Sequence, residues 1–203
     1  ERDGVTFPNP AYTWPLLTSL LWIANRASNE LEVLDFGGSL GGSYLQHKAM
    51  LENIKLHWGV VDQAQFVAAG IDLTDDPQLD FYPSVSTYAA KKTPQTILLG
   101  SVLQYLEEPY QLLSELDDSA AQYLIINRTP LSNLSDDKIL VQKVPASIYA
   151  ASYPLWVLSK RKLLKSLTVN WQVIAELPSS EGEATSDKGI SFSFEGMLLE
   201  RKH

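Results

Sequence analysis

Residues 33–42 read Val33-Leu34-Asp35-Phe36-Gly37-Gly38-Ser39-Leu40-Gly41-Gly42. An apolar strand runs into a carboxylate, and a glycine-dense turn then opens a helix. Glycine allows a tight turn and a close approach of backbone to a ligand. The N–H groups at a helix start suit an anionic group. Counted from Asp35, the spacing is D-x-G-x-S-x-G with Ser39 in the middle position, not the dinucleotide pattern G-x-G-x-x-G. The alternative is a structural turn that only joins strand to helix. Working outward, the strand covers Leu31–Phe36, a helix is expected over Ser43–Asn53, and a second strand over Leu56–Asp62. That strand closes on Val60-Val61-Asp62-Gln63. A carboxylate at this strand end is placed to accept two ribose hydroxyls at once. The competing reading of Asp62 is a solvated loop aspartate.

The rest of the chain repeats the alternation. A helix over Leu16–Ala27 precedes the first strand, with Pro15 suited to its first turn. A short helix over Gln65–Ile71 leads to a weak strand, Asp80–Val85, interrupted by Pro83, and then to the apolar strand Thr96–Leu99. A helix over Pro109–Leu116 precedes the strand Gln122–Asn127. Thr129–Ala151 turns from polar to aromatic with little periodicity. A helix over Ser159–Leu167, capped by Ser159, precedes two strands, Trp171–Leu177 and Ser191–Arg201, joined by a loop rich in Ser, Gly and Glu. Alternating strands and helices call for a parallel sheet covered on both faces. The last two strands have only a loop between them and should pair antiparallel at one edge. The expected fold is α/β: a doubly wound, seven-stranded, mostly parallel sheet with an antiparallel C-terminal hairpin. Residues 1–30 form an N-terminal extension and helix, and residues 31–203 the main domain.

A third segment, Gly100-Ser101-Val102-Leu103-Gln104-Tyr105-Leu106, follows the fourth strand. Ligands of such sheets sit beyond the carboxyl ends of the central strands. Ser101 and Gln104 are placed to hydrogen-bond a ligand and Tyr105 to wall a pocket, whereas Val102, Leu103 and Leu106 read as core. Arg128 follows the fifth strand and either holds an anionic or hydroxylated ligand or bonds local carbonyls. Tyr149, Tyr153 and Trp156 either stack on a sugar or planar ring or pack as a lid. Tyr12 and Trp14 either fold over the site as a flap or anchor the N-terminal segment.

Composition narrows the chemistry. The 203 residues include no cysteine and three histidines, one at the terminus, which excludes thiolate chemistry and disfavours a metal centre. The net charge is −8, so no broad basic face for nucleic acid is expected. Residues 1–137 carry 7 basic against 18 acidic side chains, while residues 138–203 carry 9 against 6. The mildly basic final third either lies near an anionic substrate or is a solvated helix face around Lys160, Arg161, Lys162 and Lys165. No apolar run reaches the ~20 residues of a membrane span, and no signal peptide is visible, so a cytoplasmic protein is expected. The chain begins at Glu1, which suggests an upstream segment.

The chain resembles the class I S-adenosylmethionine-dependent methyltransferases. Asp35 to Gly41 lies one residue from their D/E-x-G-x-G-x-G pattern. More narrowly, it is similar to a poorly characterised family of bacterial methyltransferases often linked to surface-polysaccharide gene clusters. The matching segments are Tyr12–Leu17, Leu34–Tyr44, Val60–Gln63, Ser101–Tyr110, Asn127–Pro130 and Gln142–Trp156. Asp62 stands where that family commonly has glutamate, and Asn127 where it commonly has aspartate. The resemblance implies a Rossmann-like fold and S-adenosylmethionine held by Asp35, Gly37, Gly38, Ser39, Gly41, Asp62, Gln63, Ser101 and Val102, with adenine near Tyr82–Ser84. It implies a small-molecule acceptor, a sugar among the candidates, near Gln104, Tyr105, Arg128, Tyr149, Tyr153, Trp156 and Tyr12. No catalytic base is identified: His47 falls on the helix after the first strand and His57 on the second strand. Two other readings stay open, a non-catalytic cofactor-binding or partner-binding module and a nicotinamide-dependent oxidoreductase. The glycine spacing and the terminal hairpin argue against the second.

Overall fold

The glycine turn leaves the middle of a sheet. In the computed structural model, which describes residues 12–144, 146 and 150–202, β1 (Glu30–Phe36) pairs in parallel with β2 (Lys55–Val61) on one side and with β4 (Thr96–Gly100) on the other. β3 (Leu79–Tyr82) extends the sheet past β2, and β5 (Tyr123–Ser132) past β4, all parallel. β9 (Ser191–Arg201) then pairs antiparallel with β5, and β8 (Trp171–Thr185) antiparallel with β9. The order from one edge is thus β3-β2-β1-β4-β5-β9-β8. The expected parallel sheet and antiparallel terminal hairpin are both present.

Side chains alternate across a strand, and the inner strands therefore feed two cores. Val33, Trp58, Val60, Leu98 and Ile125 pack under α1 (Trp14–Arg26), which buries Leu16, Leu20 and Ile23. Leu34, Ile97, Leu99, Leu124 and Ile126 pack under α5 (Pro109–Asp117) and α6 (Lys160–Leu167), which bury Leu112, Leu116, Leu163 and Leu167. Two faces covered by helices are what a continuous apolar strand such as β4 requires. Short helices α2 (Gly42–His47), α3 (Ala64–Leu73) and α4 (Val85–Ala89) complete the crossovers.

Three differences from the expected elements matter. The helix expected over Ser43–Asn53 ends at His47, and a single 3-10 turn, Lys48–Met50, follows. The stretch without periodicity holds a hairpin, β6 (Lys138–Val144) and β7 (Ala151–Ser159), so the sheet has nine strands rather than seven. The loop expected before Ser191 is largely strand, because β8 continues to Thr185 and its far part pairs Glu183 with Ser193.

The extra pieces all gather where β5 outruns β4. β4 stops at Gly100, opposite Asn127, while β5 continues to Ser132 and there joins β7 through Leu131–Leu158 and Ser132–Ser159. The register of β5 against β9 shifts between Ile126 and Thr129, a bulge with Arg128 at φ 55°. Gly196 makes the bulge possible, since a Cβ there would stand 2.4 Å from the Ile126 carbonyl oxygen.

Candidate functional site

The carboxyl ends of β1, β4 and β5 surround one cleft of about 130 Å³. Asp35, Gly37, Gly38 and Ser39, with Ser43 and Gln46 of α2, form one wall, and Gly100, Asn127 and Arg128 the opposite wall. Thr13 and Leu16 close it from the start of α1. Three residues other than glycine adopt the left-handed conformation at this edge: Ser39 (φ 53°), Ser101 (φ 60°) and Arg128 (φ 55°). Such backbone costs about 1–2 kcal/mol per residue and gathers at binding and catalytic sites.

The first wall is built by the glycine turn. Gly37 turns at φ 73° and donates its N–H to the Val61 carbonyl at 2.8 Å. A Cβ on Gly37 would stand 2.5 Å from Val102 Cγ2, so the turn after β1 lies directly against the turn after β4. A Cβ on Gly38 would stand 2.6 Å from the Asp35 carboxylate. Gly41, at φ 77°, is the N-cap of α2.

The two carboxylates differ sharply. Asp35 is 1% exposed and accepts one hydrogen bond, from the Trp58 indole N–H at 3.0 Å. Burial, with Asp62 nearby, pushes its pKa up from 3.8 to about 7, and the Trp58 bond opposes the rise. Asp62 is only partly buried and accepts two backbone N–H groups, from Ser39 at 2.8 Å and from Gln63 at 2.7 Å. It therefore ties the glycine turn to the end of β2. Gln63 is exposed, N-caps α3 and accepts from Gln65 at 2.6 Å. Beyond β3, Tyr82 is buried and Ser84 caps α4 in a reciprocal capping box.

The opposite wall is held by backbone bonds. Ser101 donates its N–H to the Asn127 carbonyl at 2.8 Å and its hydroxyl to the Arg128 carbonyl at 3.3 Å, which also accepts from Gln104 at 3.3 Å. Arg128 Nε stands 2.9 Å from Glu181 Oε1, an ion pair supplied by the far part of β8. Tyr105, 46% exposed, donates to Gln142 at 3.2 Å and meets the Tyr153 ring edge-on at 5.5 Å. Trp156 donates its indole N–H to the Leu106 carbonyl at 2.9 Å and packs on the core. These three contacts seat the β6–β7 hairpin on the 3-10 turn Leu103–Tyr105 and its C-cap Leu106. Leu103 is core, as expected. Tyr149 lies outside the described residues.

Neither described histidine is free to act as a base at the cleft. His47 is buried, bonds the Ser43 carbonyl through Nδ1 at 2.7 Å, and accepts from Thr13 N–H through Nε2 at 3.1 Å. Burial holds its pKa below the usual value, so the ring is neutral and anchors the segment carrying Tyr12, whose ring lies 5.3 Å from Trp14 and 6.2 Å from His47. His57 sits in the amino-terminal half of β2, beside Glu32 and Asp80, and both carboxylates raise its pKa against the opposing effect of burial. Among the described residues no cluster could hold a metal ion. No described helix is long and apolar enough to cross a membrane.

Trp58, Ser43, Gln46, Thr13 and Glu181 were not singled out from the sequence as site residues. Trp58 carried a usable signal, because a buried indole N–H needs an acceptor and Asp35 lies one strand away.

No family model matches the chain, and no curated protein matches it. Solved structures do. The N-terminal domain of EvdMO1, crystallised in the presence of SAH and D-fucose, superposes with a TM-score of 0.62 at 14% identity, covering 100% of this chain and 89% of that one. The glycopeptide N-methyltransferase MtfA, complexed with sinefungin, gives 0.62 at 14% identity, covering 99% and 97%. Magnesium protoporphyrin IX methyltransferase from Synechocystis PCC 6803 with bound SAM gives 0.56 at 15% identity, covering 92% and 78%. The chain has the Rossmann-like methyltransferase fold.

Proposed function

We propose that the chain binds S-adenosylmethionine at this edge and transfers a methyl group to a small hydroxylated acceptor of the sugar class, such as a surface polysaccharide contains. The observation that carries the reading is the bond from Ser39 N–H to Asp62 at 2.8 Å, which ties the glycine turn lining the cleft to the carboxylate that closes β2. The donor set fits the cofactor. Each Asp62 oxygen accepts one backbone N–H and keeps a lone pair for a ribose hydroxyl. Gly37, Gly38 and Gly41 would let backbone approach the cofactor, and Asp35, Gln63 and the Ser101-Val102 turn would complete its site. When bound, the cofactor supplies an electrophilic methyl on a sulfonium. Structural neighbours crystallised with SAM, SAH or sinefungin support the cofactor, and the D-fucose present with one of them supports the acceptor class.

The chain's own residues align and shield the reactants. In-line transfer gains most from orientation and from fixed charges that need not reorganise. Arg128, Gln104, Tyr105, Tyr149, Tyr153, Trp156 and Tyr12 are the proposed acceptor side. Asp35 is the one carboxylate lining the cleft among the described residues, and its burial favours the protonated form near neutral pH. That scarcity of a base favours a second reading, a cofactor-binding module without catalysis. Calorimetric titration tests the first step. Micromolar binding of S-adenosylmethionine and S-adenosylhomocysteine is expected, weakened about 10- to 100-fold in Asp62→Ala through loss of charge-assisted bonds. An intact chain that binds neither rules the proposal out. Methyl turnover on nucleotide-linked or polymeric sugars, present or absent, separates enzyme from module.

A further inference from the structure

β5 leads from the cleft to a second concavity. At ~3.3 Å per residue, Ser132 stands about 13 Å beyond Arg128. There the end of β5, the start of α6 and the paired far parts of β8 and β9 enclose a pocket of about 180 Å³. That is smaller than the ~300–1,000 Å³ of pockets for drug-sized ligands and suits a single ring.

Its lining has a definite chemistry. Phe192 supplies one apolar surface, and its edge-on contact with Phe194, at 5.8 Å, fixes the ring. Hydroxyls stand around it: Thr185 and Ser191 are 3.0 Å apart, and Ser193 bonds Glu195. Lys160 is matched by Glu195 at 2.7 Å and Glu176 at 3.0 Å, so it offers no net positive charge to a ligand. Glu183 lines the pocket and makes no ion pair among the described residues. The site is therefore anionic, rich in donors and acceptors, and apolar on one side. An anion would meet an unmatched carboxylate. A purely apolar ligand would leave the Ser132 hydroxyl, buried and without a hydrogen-bond partner among the described residues, unanswered. A ring with hydroxyls, a C–H face and an ammonium satisfies all three groups, and the ammonium also gains from the Phe192 ring.

We propose that this pocket is a subsite for an amino-sugar ring, holding the remainder of a glycosylated acceptor, a more distant unit of which reaches the cleft. The inference rests on the methyl-transfer reading for that link, but the binding chemistry is local. The test is NMR titration of the full chain with glucosamine, glucose and glucuronate, with S-adenosylhomocysteine titrated in parallel. Glucosamine should bind at millimolar concentration and shift amides of residues 183–195, glucose more weakly, glucuronate not at all. Phe192→Ala and Glu183→Gln should each weaken glucosamine about 5- to 10-fold, while leaving S-adenosylhomocysteine affinity unchanged, which also reports that the variants fold. No glucosamine binding, a preference for glucuronate, or glucosamine binding indifferent to both variants overturns the inference. If glucosamine binds as expected and S-adenosylhomocysteine does not, the subsite stands and the methyl-transfer reading falls.

Discussion

The two walls of the cleft are made in opposite ways. The β1–β2 wall is local: a glycine turn, a buried Asp35 and an Asp62 that ties them, all within two neighbouring parallel strands. The β5 wall is assembled from distant pieces: the bulge at Arg128, Gly196 from β9, Glu181 from β8, and a hairpin seated by Trp156. The first wall spends its strain on presenting backbone and carboxylates. The second spends it on stretching β5 past the sheet. In one, binding and stability meet at the same residues; in the other they are separable.

The largest expected effect tests the local wall. Folding raises the Asp35 pKa from 3.8 to about 7, through burial first and Asp62 second. A carboxyl raised in this way binds its proton more tightly when folded. Its contribution is complete below about pH 4 and is lost as pH rises toward 7. At 1.36 kcal/mol per unit, the loss approaches about 4 kcal/mol as an upper bound. Asp35→Asn keeps an oxygen for the Trp58 N–H and carries no charge. The variant should match the parent near pH 4 and exceed it by a few kcal/mol at pH 8, measured by urea unfolding across that range. A parent whose pH profile is already flat would show that the carboxylate is accommodated, and the contrast between the walls would disappear.

This local wall was readable because its information is contiguous. Asp35 to Gly42 and Val60 to Gln63 each lie on one short segment, and the alternation of apolar strands with helices fixed their neighbourhood. The burial of Asp35 went unread, although the indole of Trp58 on the next strand, which donates to it, was the signal available. The β5 wall hid for different reasons. β6 is half-exposed along its length, so it shows no buried face, and Pro154 in β7 argues against a strand until its position opposite Val141 in an exposed hairpin is seen. The Ser, Gly and Glu of residues 179–183 read as a loop, yet β9 supplies the partner that makes the far part of β8 a strand.

The next effect sets one glycine of each wall against the other. In Gly196→Ala the new Cβ meets backbone, the Ile126 carbonyl at 2.4 Å, which cannot swing aside. A loss of about 2–3 kcal/mol is expected, read as a lowered urea midpoint. In Gly38→Ala the Cβ meets the Asp35 carboxylate at 2.6 Å, a side chain that can move. The cost in stability should be smaller, and S-adenosylhomocysteine affinity should fall instead. Equal stability losses with unchanged affinity would erase the distinction. A smaller effect belongs to the hairpin. Trp156→Phe removes the bond to the Leu106 carbonyl and should cost about 1 kcal/mol, with faster amide exchange confined to β6 and β7.

The smallest effect is the most discriminating. Ser39 holds φ 53°, and among the described residues only its N–H is engaged, to Asp62 at 2.8 Å. Ser39→Gly keeps that N–H and removes the Cβ that makes left-handed backbone costly, against some added freedom of the unfolded chain. A net gain of about 0.5–1 kcal/mol is expected in thermal unfolding. A serine retained at a position that prefers glycine then needs a reason outside the folded chain itself. If its hydroxyl bonds the ligand, the same substitution must weaken S-adenosylmethionine binding several-fold while the melting temperature rises. Stability and affinity moving in opposite directions would mark Ser39 as strained for binding, whereas both rising together would assign the turn to architecture alone.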